Sequence, residues 1–188
     1  MAVCTDLIAN KIAVDCADMV VRGVESDGLI INRSQIDFAT CVLTDNVIST
    51  LALTTGSKGY EVVQVGSTPF TGTQTSLVVG TNRNTWQNTV NLVVLANNAT
   101  VNKNIIDVLA NGEFVVILKN KNTNDKAKYQ VYGWYQGLRA NEITSEKYSE
   151  DTDGGWAVSL VENQALKSAM FFFDTDYTTT DTAYAALQ

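Results

Sequence analysis

At 188 residues, 45% hydrophobic and 18% charged, the chain is long enough for one ordinary domain with its own core and too sparsely charged to stay disordered. Twenty acidic against 13 basic residues leave a net charge of −7 with no Lys/Arg cluster, which removes the phosphate-binding footprint of a sequence-specific DNA or RNA binder. The longest apolar runs, Phe114 to Leu118 and Ala169 to Phe173, fall far short of the roughly 20 residues that span a bilayer.

The N-terminus, Met1-Ala2-Val3-Cys4-Thr5-Asp6, has no basic stretch ahead of an apolar one, so neither a secretory signal nor a transit peptide is expected. Synthesis and assembly in a cytoplasm follow from that reading. Cys4, Leu7 and Ile8 share a helical face and predict a short helix over Cys4 to Asn10. Cys4, Cys16 and Cys41 make an odd count without CxxC spacing, which fits reduced thiols better than a disulfide framework or a zinc site.

From there β-branched segments recur between polar turns, with Pro69 the single proline. This pattern predicts a mainly β domain. The expected strands are Gly28 to Asn32, Val47 to Leu53, Tyr60 to Val65, Ser76 to Gly80, Thr89 to Leu95, Glu113 to Lys119, Lys128 to Tyr135, Gly155 to Val161 and Ala169 to Phe173. One segment breaks the period: Val101, Ile105, Val108 and Leu109 form a helical stripe, with Thr100 as expected N-cap and Gly112 as the stop.

Asn120 to Lys126 consists of turn formers and lysines between two apolar strands and predicts a hairpin loop. Ser145 to Gly154 is polar, and reads as a long mobile excursion between Glu142-Ile143-Thr144 and the Trp156 strand. The final stretch, Asp174 to Gln188, is rich in Thr and Asp; it is expected to add little to a core and to serve as a surface arm that frays or docks on a neighbour. No repeat or linker divides the chain, so residues 1–188 are taken as one domain.

Chemistry is sparse. The chain has no histidine, which removes Ser-His-Asp and Cys-His catalysis and His-ligated metals. No SxxK, GxSxG, HExxH, P-loop or GxGxxG arrangement occurs, so no catalytic, metal-binding or cofactor-binding residue is assigned. The acids Glu142, Glu146, Glu150, Asp151 and Asp153 are mostly in the polar loop, where solvated carboxylates are the ordinary reading. Asp151-Thr152-Asp153-Gly154 and Asp174-Thr175-Asp176 faintly resemble calcium loops but lack the further oxygen ligands and distal glutamate, and read as a turn and a strand exit. The aromatic groups Tyr129, Tyr132, Trp134, Tyr135 and Phe171, Phe172, Phe173 suit core or interface better than a ligand platform.

The order of strands, one helix at Val101 to Asn111, a strand directly after it, then a strand pair split by a polar loop resembles the tail-tube fold of phage tails and contractile injection systems. Tyr132-Gly133-Trp134-Tyr135-Gln136-Gly137-Leu138-Arg139, Glu142-Ile143-Thr144 and Gly154 to Leu160 carry the likeness. The phrases YGWYQGLRANEIT, DTDGGWAVSL and AMFFF are also similar to structural proteins of phages infecting Bacteroidetes. The resemblance implies a single β-sandwich or barrel with one flanking helix. It also implies a non-enzymatic virion subunit that forms rings with its own copies, hexameric in that family, stacked into a conduit through which DNA passes without specific binding, in contact with other virion proteins.

Candidate subunit contacts are Lys121 and Lys126 on the hairpin, Glu146, Glu150 and Asp151 in the polar loop, and Tyr177, Tyr184 and Leu187 in the terminal arm. A neck, ring or head-decoration protein is the alternative within a virion. Outside that class stands a β-sandwich that binds carbohydrate or a host surface through Trp134, Tyr135 or Trp156.

Overall fold

The computed structural model describes residues 8, 12, 20–121 and 125–188. The strands are β1 (Val24–Asn32), β2 (Val42–Thr44), β3 (Val47–Thr50), β4 (Tyr60–Val63), β5 (Gln74–Val78), β6 (Thr85–Val94), β7 (Phe114–Asn120), β8 (Tyr129–Tyr132), β9 (Arg139–Thr144), β10 (Trp156–Ala165) and β11 (Met170–Phe172). Helix α1 covers residues 99–111, and α2 is Tyr177–Ala185. The fold is mainly β, as the alternation requires. Cys4, Cys16 and the helix expected at Cys4 to Asn10 lie outside the described residues, apart from Ile8. Cys41 is a free thiol, half-buried, with its Sγ accepting from the Ala52 amide at 3.3 Å.

Two sheets form, a seven-stranded one in the order β2-β3-β11-β8-β7-β1-β4 and a four-stranded one in the order β5-β6-β10-β9. Both have open edges, so the barrel option falls and the sandwich stands. The reason is legible in β7. Phe114 to Leu118 are all buried, and a strand can bury every side chain only when both its faces are covered. Phe114, Val116 and Leu118 join Val90, Leu92, Val158 and Leu160 in the core between the sheets. Val115 and Ile117 face the other way, into a second core with Leu29, Ile31, Tyr129 and Phe172.

That second core is closed by α2. Tyr184 and Leu187 are buried there, and Thr180 is fully buried. Residues 174–188 thus supply part of this chain's own core, which corrects the expected surface arm. Its small residues hid the fact, because the large apolar side chains turned inward are few: Tyr184 on the helix and Leu187 in the turn after it. Asp176 caps it, accepting from the Thr179 amide at 2.8 Å, so the second calcium-like phrase is a helix start.

Helix α1 begins earlier than expected: Asn98, rather than Thr100, is the N-cap, its Oδ1 accepting from the amides of Thr100 and Val101. Gly112 does end the helix, although its backbone is not left-handed. A Cβ at Gly112 would lie 2.3 Å from the Phe114 ring, so close packing sets that choice. β2 was not foreseen, and β9 starts at Arg139, before the expected Glu142.

The sheets are also tied by one side chain. Gln64, just past β4, accepts from the Val93 amide at 2.8 Å and donates through Nε2 to the Val93 carbonyl at 3.0 Å, completing a backbone pair across the sheet gap. Among the described residues no helix is long and apolar enough to cross a membrane.

Candidate assembly surface

Strands β2, β4, β5 and β9 end the two sheets, and each leaves one row of backbone N–H and C=O groups without a partner strand. Natural edge strands are usually protected by lysine, proline or bulges. β4 and β5 have no lysine, no proline and no register shift, and Glu61 is their single charge. They expose apolar side chains instead: Tyr60 and Val63 on β4, with Val63 58% exposed, and Leu77 and Val78 on β5. Val65 and Val79, just beyond them, are also exposed, and so are Val42 and Leu43 on β2.

Beside β4 lies an apolar groove of about 840 Å³, walled by Tyr60 and Val63 on one side and by Leu95, Ile105 and Val108 on the other. Its second wall comes from an irregularity in α1. Residues Asn102–Ile106 form a π-helical turn, in which the Asp107 amide reaches the Asn102 carbonyl. The extra residue advances the register, so Ile106 and Leu109 enter the core while Ile105 and Val108 face out. The regular stripe read from the sequence placed Ile105 and Val108 inside; the π turn overturns that.

The expected contact residues divide. Lys121 and Lys126 are exposed on the hairpin, whose residues 122–124 lie outside the description. Their neighbours Lys119 and Lys128 are engaged within the chain, with Asp27 at 2.8 Å and Glu25 at 3.5 Å. Glu146, Glu150 and Asp151 are exposed on the loop between β9 and β10. That loop is anchored rather than loose throughout: Lys147 donates to Ser145 Oγ and to the Gly154 carbonyl, and Thr152 is buried. Asp153 and Gly154 are left-handed, so the first calcium-like phrase is a turn. Tyr177 is exposed on α2, whereas Tyr184 and Leu187 are buried within this chain and cannot meet a neighbour without unfolding the helix from its core.

The sequence reading missed Glu162, a carboxylate 1% exposed that makes no salt bridge among the described residues. Its Oε1 accepts from the amides of Tyr135 (2.8 Å) and Gln136 (2.7 Å), its Oε2 from Asn88 Nδ2 (2.7 Å) and the Gly133 amide (3.2 Å). Four donors replace water around the buried charge. The group fixes the Gly133 to Gly137 turn, whose two glycines have positive φ, onto the end of β10. Burial, with the Glu162 charge behind it, raises the Tyr135 phenol above its ordinary pKa. The same turn buries Trp134, at 7% exposure and edge-on to Phe38, while Tyr135 and Trp156 are half-buried. These three residues do not make the open aromatic platform a sugar binder needs.

Among the described residues no group of three or more His, Cys, Asp or Glu side chains is placed to hold a metal ion. Compared with known proteins, the chain matches no family model, no curated protein and no solved structure.

Proposed function

We propose that this chain is a non-enzymatic structural subunit that self-assembles through its sheet edges, and more specifically a tail-tube-like virion protein forming stacked rings. The observation that carries the reading is the pair of unprotected apolar edges, β4 and β5, on a sandwich that is otherwise well packed. Left bare, such edges template uncontrolled strand pairing; in a closed ring each is covered by the next copy. Burying side chains such as Tyr60, Val63 and Leu77 at each contact adds roughly 1 to 2 kcal/mol per half-exposed residue.

A conduit for DNA fits the outer face of the four-stranded sheet. Across β6, β10 and β9 the outward rows read Asn91-Ser159-Glu142, Val93-Ala157-Thr144 and Thr89-Val161-Arg139, with Glu142 and Arg139 as charges of opposite sign. A near-neutral wall lets a phosphate backbone slide, whereas a basic one would trap it through counterion release. A neck, ring or head-decoration subunit uses the same edges with a different ring geometry. The test is negative-stain electron microscopy of concentrated protein: stacked rings support a tube, single rings support a neck component, and a monomer that binds a glycan array would replace the reading altogether.

A further inference from the structure

A pocket and a protruding turn of this chain are complementary in charge and chemistry. The pocket, of about 850 Å³, lies beside the start of β1; Phe70, Tyr132 and Phe171 give it aromatic walls, and the exposed Arg22 and Lys121 also line it. Among the described residues no Asp or Glu lines it, in a chain whose acids outnumber its bases 20 to 13. Neither Arg22 nor Lys121 makes a salt bridge among the described residues. Such a pocket favours an occupant that joins negative charge to an aromatic group.

The loop between β9 and β10 has that composition. Residues 145–154 hold the acids Glu146, Glu150, Asp151 and Asp153 against the single base Lys147. Tyr148 stands at the tip of a turn there, 95% exposed, with the Ser149 amide donating to the Glu146 carbonyl at 3.3 Å. Lys147 ties the turn back to Ser145 Oγ and the Gly154 carbonyl, so the tyrosine is held clear of its own chain. A bare tyrosine on a fixed turn, ringed by charge, has the character of an interface anchor.

We infer that Tyr148 of one copy inserts into the pocket of a second copy, where Glu146, Glu150 and Asp151 around it meet Arg22 and Lys121. The inference rests on the self-assembly reading and deepens it by naming a contact separate from the β4 and β5 edges. Turn and pocket are different surfaces, so the contact is heterologous: each copy gives its turn to one neighbour and its pocket to another.

The test uses the full chain. Unlabelled chain carrying photoreactive benzoylphenylalanine in place of Tyr148 is mixed with heavy-isotope wild-type chain, concentrated and irradiated. The expected adduct joins position 148 of the unlabelled chain to residues 20–24 or 67–73 of the heavy one, and is lost when the heavy chain carries R22E/K121E. Tyr148→Ala should weaken association by about tenfold or more while keeping the circular dichroism of the wild type. Adducts confined to the unlabelled chain, or association unchanged by Tyr148→Ala, would overturn the inference. Assembly with no adduct in the pocket also overturns it while leaving self-assembly intact; absence of both assembly and inter-copy adducts removes the two together.

Discussion

The Glu162 carboxylate accepts the Gln136 amide at 2.7 Å, joining the bulged end of β10 to the turn after β8. With its other three donors this bond holds a buried carboxylate that makes no salt bridge among the described residues. Glu162→Gln keeps the shape but turns an NH2 group toward backbone N–H donors, leaving at least one unpaired. We expect a loss of about 2 to 3 kcal/mol in unfolding free energy, read from urea denaturation, with Glu162→Ala at least as costly. A change below about 0.5 kcal/mol would mean that the turn holds itself without the carboxylate.

Leu187 is the second test of packing. It is buried beside Tyr184 in the core that α2 closes, so Leu187→Ala should cost about 2 to 4 kcal/mol. Removal of residues 174–188 should unfold the domain, seen as loss of the cooperative thermal transition. A truncated chain that melts like the full one would restore the surface-arm reading.

Tyr132 gives stability a dependence on alkaline pH. Burial raises its pKa to about 12, against about 10 for a free tyrosine. Its folded pKa lies above its unfolded one, so its contribution is complete below about pH 10 and is lost as pH rises from there through about 12. The loss at the end of that window is about 2 to 3 kcal/mol. Burial raises Tyr129 and Tyr184 as well, and Asp181, hydrogen-bonded to the Tyr129 hydroxyl, adds to the Tyr129 effect, so both steepen the same decline. Tyr132→Phe should flatten the slope of stability between pH 10 and 12; an unchanged slope would exclude Tyr132 as its source.

Much of the β framework was legible because its strands are long and strongly patterned. Phe114 to Leu118 announces a doubly buried strand, and the polar turns around it fix its ends. Other features depend on contacts that sequence spacing cannot express. The π turn in α1 moves Ile105 and Val108 outward through a single extra residue. Glu162 reads as an ordinary polar strand end until Tyr135 and Gln136 fold back onto it. Tyr184 lies in a Thr-rich helix, and Leu187 in the turn after it, where a weak stripe conceals their contribution to the core. The exposed hairpin lysines and loop acids were placed correctly on the surface by composition alone, since charged side chains rarely enter a core.

Those lysines yield a further expectation. Lys121 and Lys126 are exposed, and in the proposed ring they would face acids such as Glu146, Glu150 and Asp151 of a neighbouring copy. Exposed pairs contribute on the order of 0 to 1 kcal/mol each, so only repetition around a ring gives a measurable sum. Reversing both lysines to Glu should weaken ring stacking at low salt, lose that effect at high salt, and leave the folded subunit unchanged. Stacking that is insensitive to the reversal would move the lysines away from the ring-to-ring contact.

Assembly through bare apolar edges is tested most directly by sedimentation across rising protein concentration, comparing the wild-type chain with a Val63→Lys/Leu77→Lys variant. Both substitutions lie on exposed edge positions, so the variant should remain folded. The expected result is concentration-dependent rings or tubes for the wild-type chain and a persistent monomer for the variant. A wild-type chain that stays monomeric at the highest concentration, or a variant that assembles equally well, would contradict it.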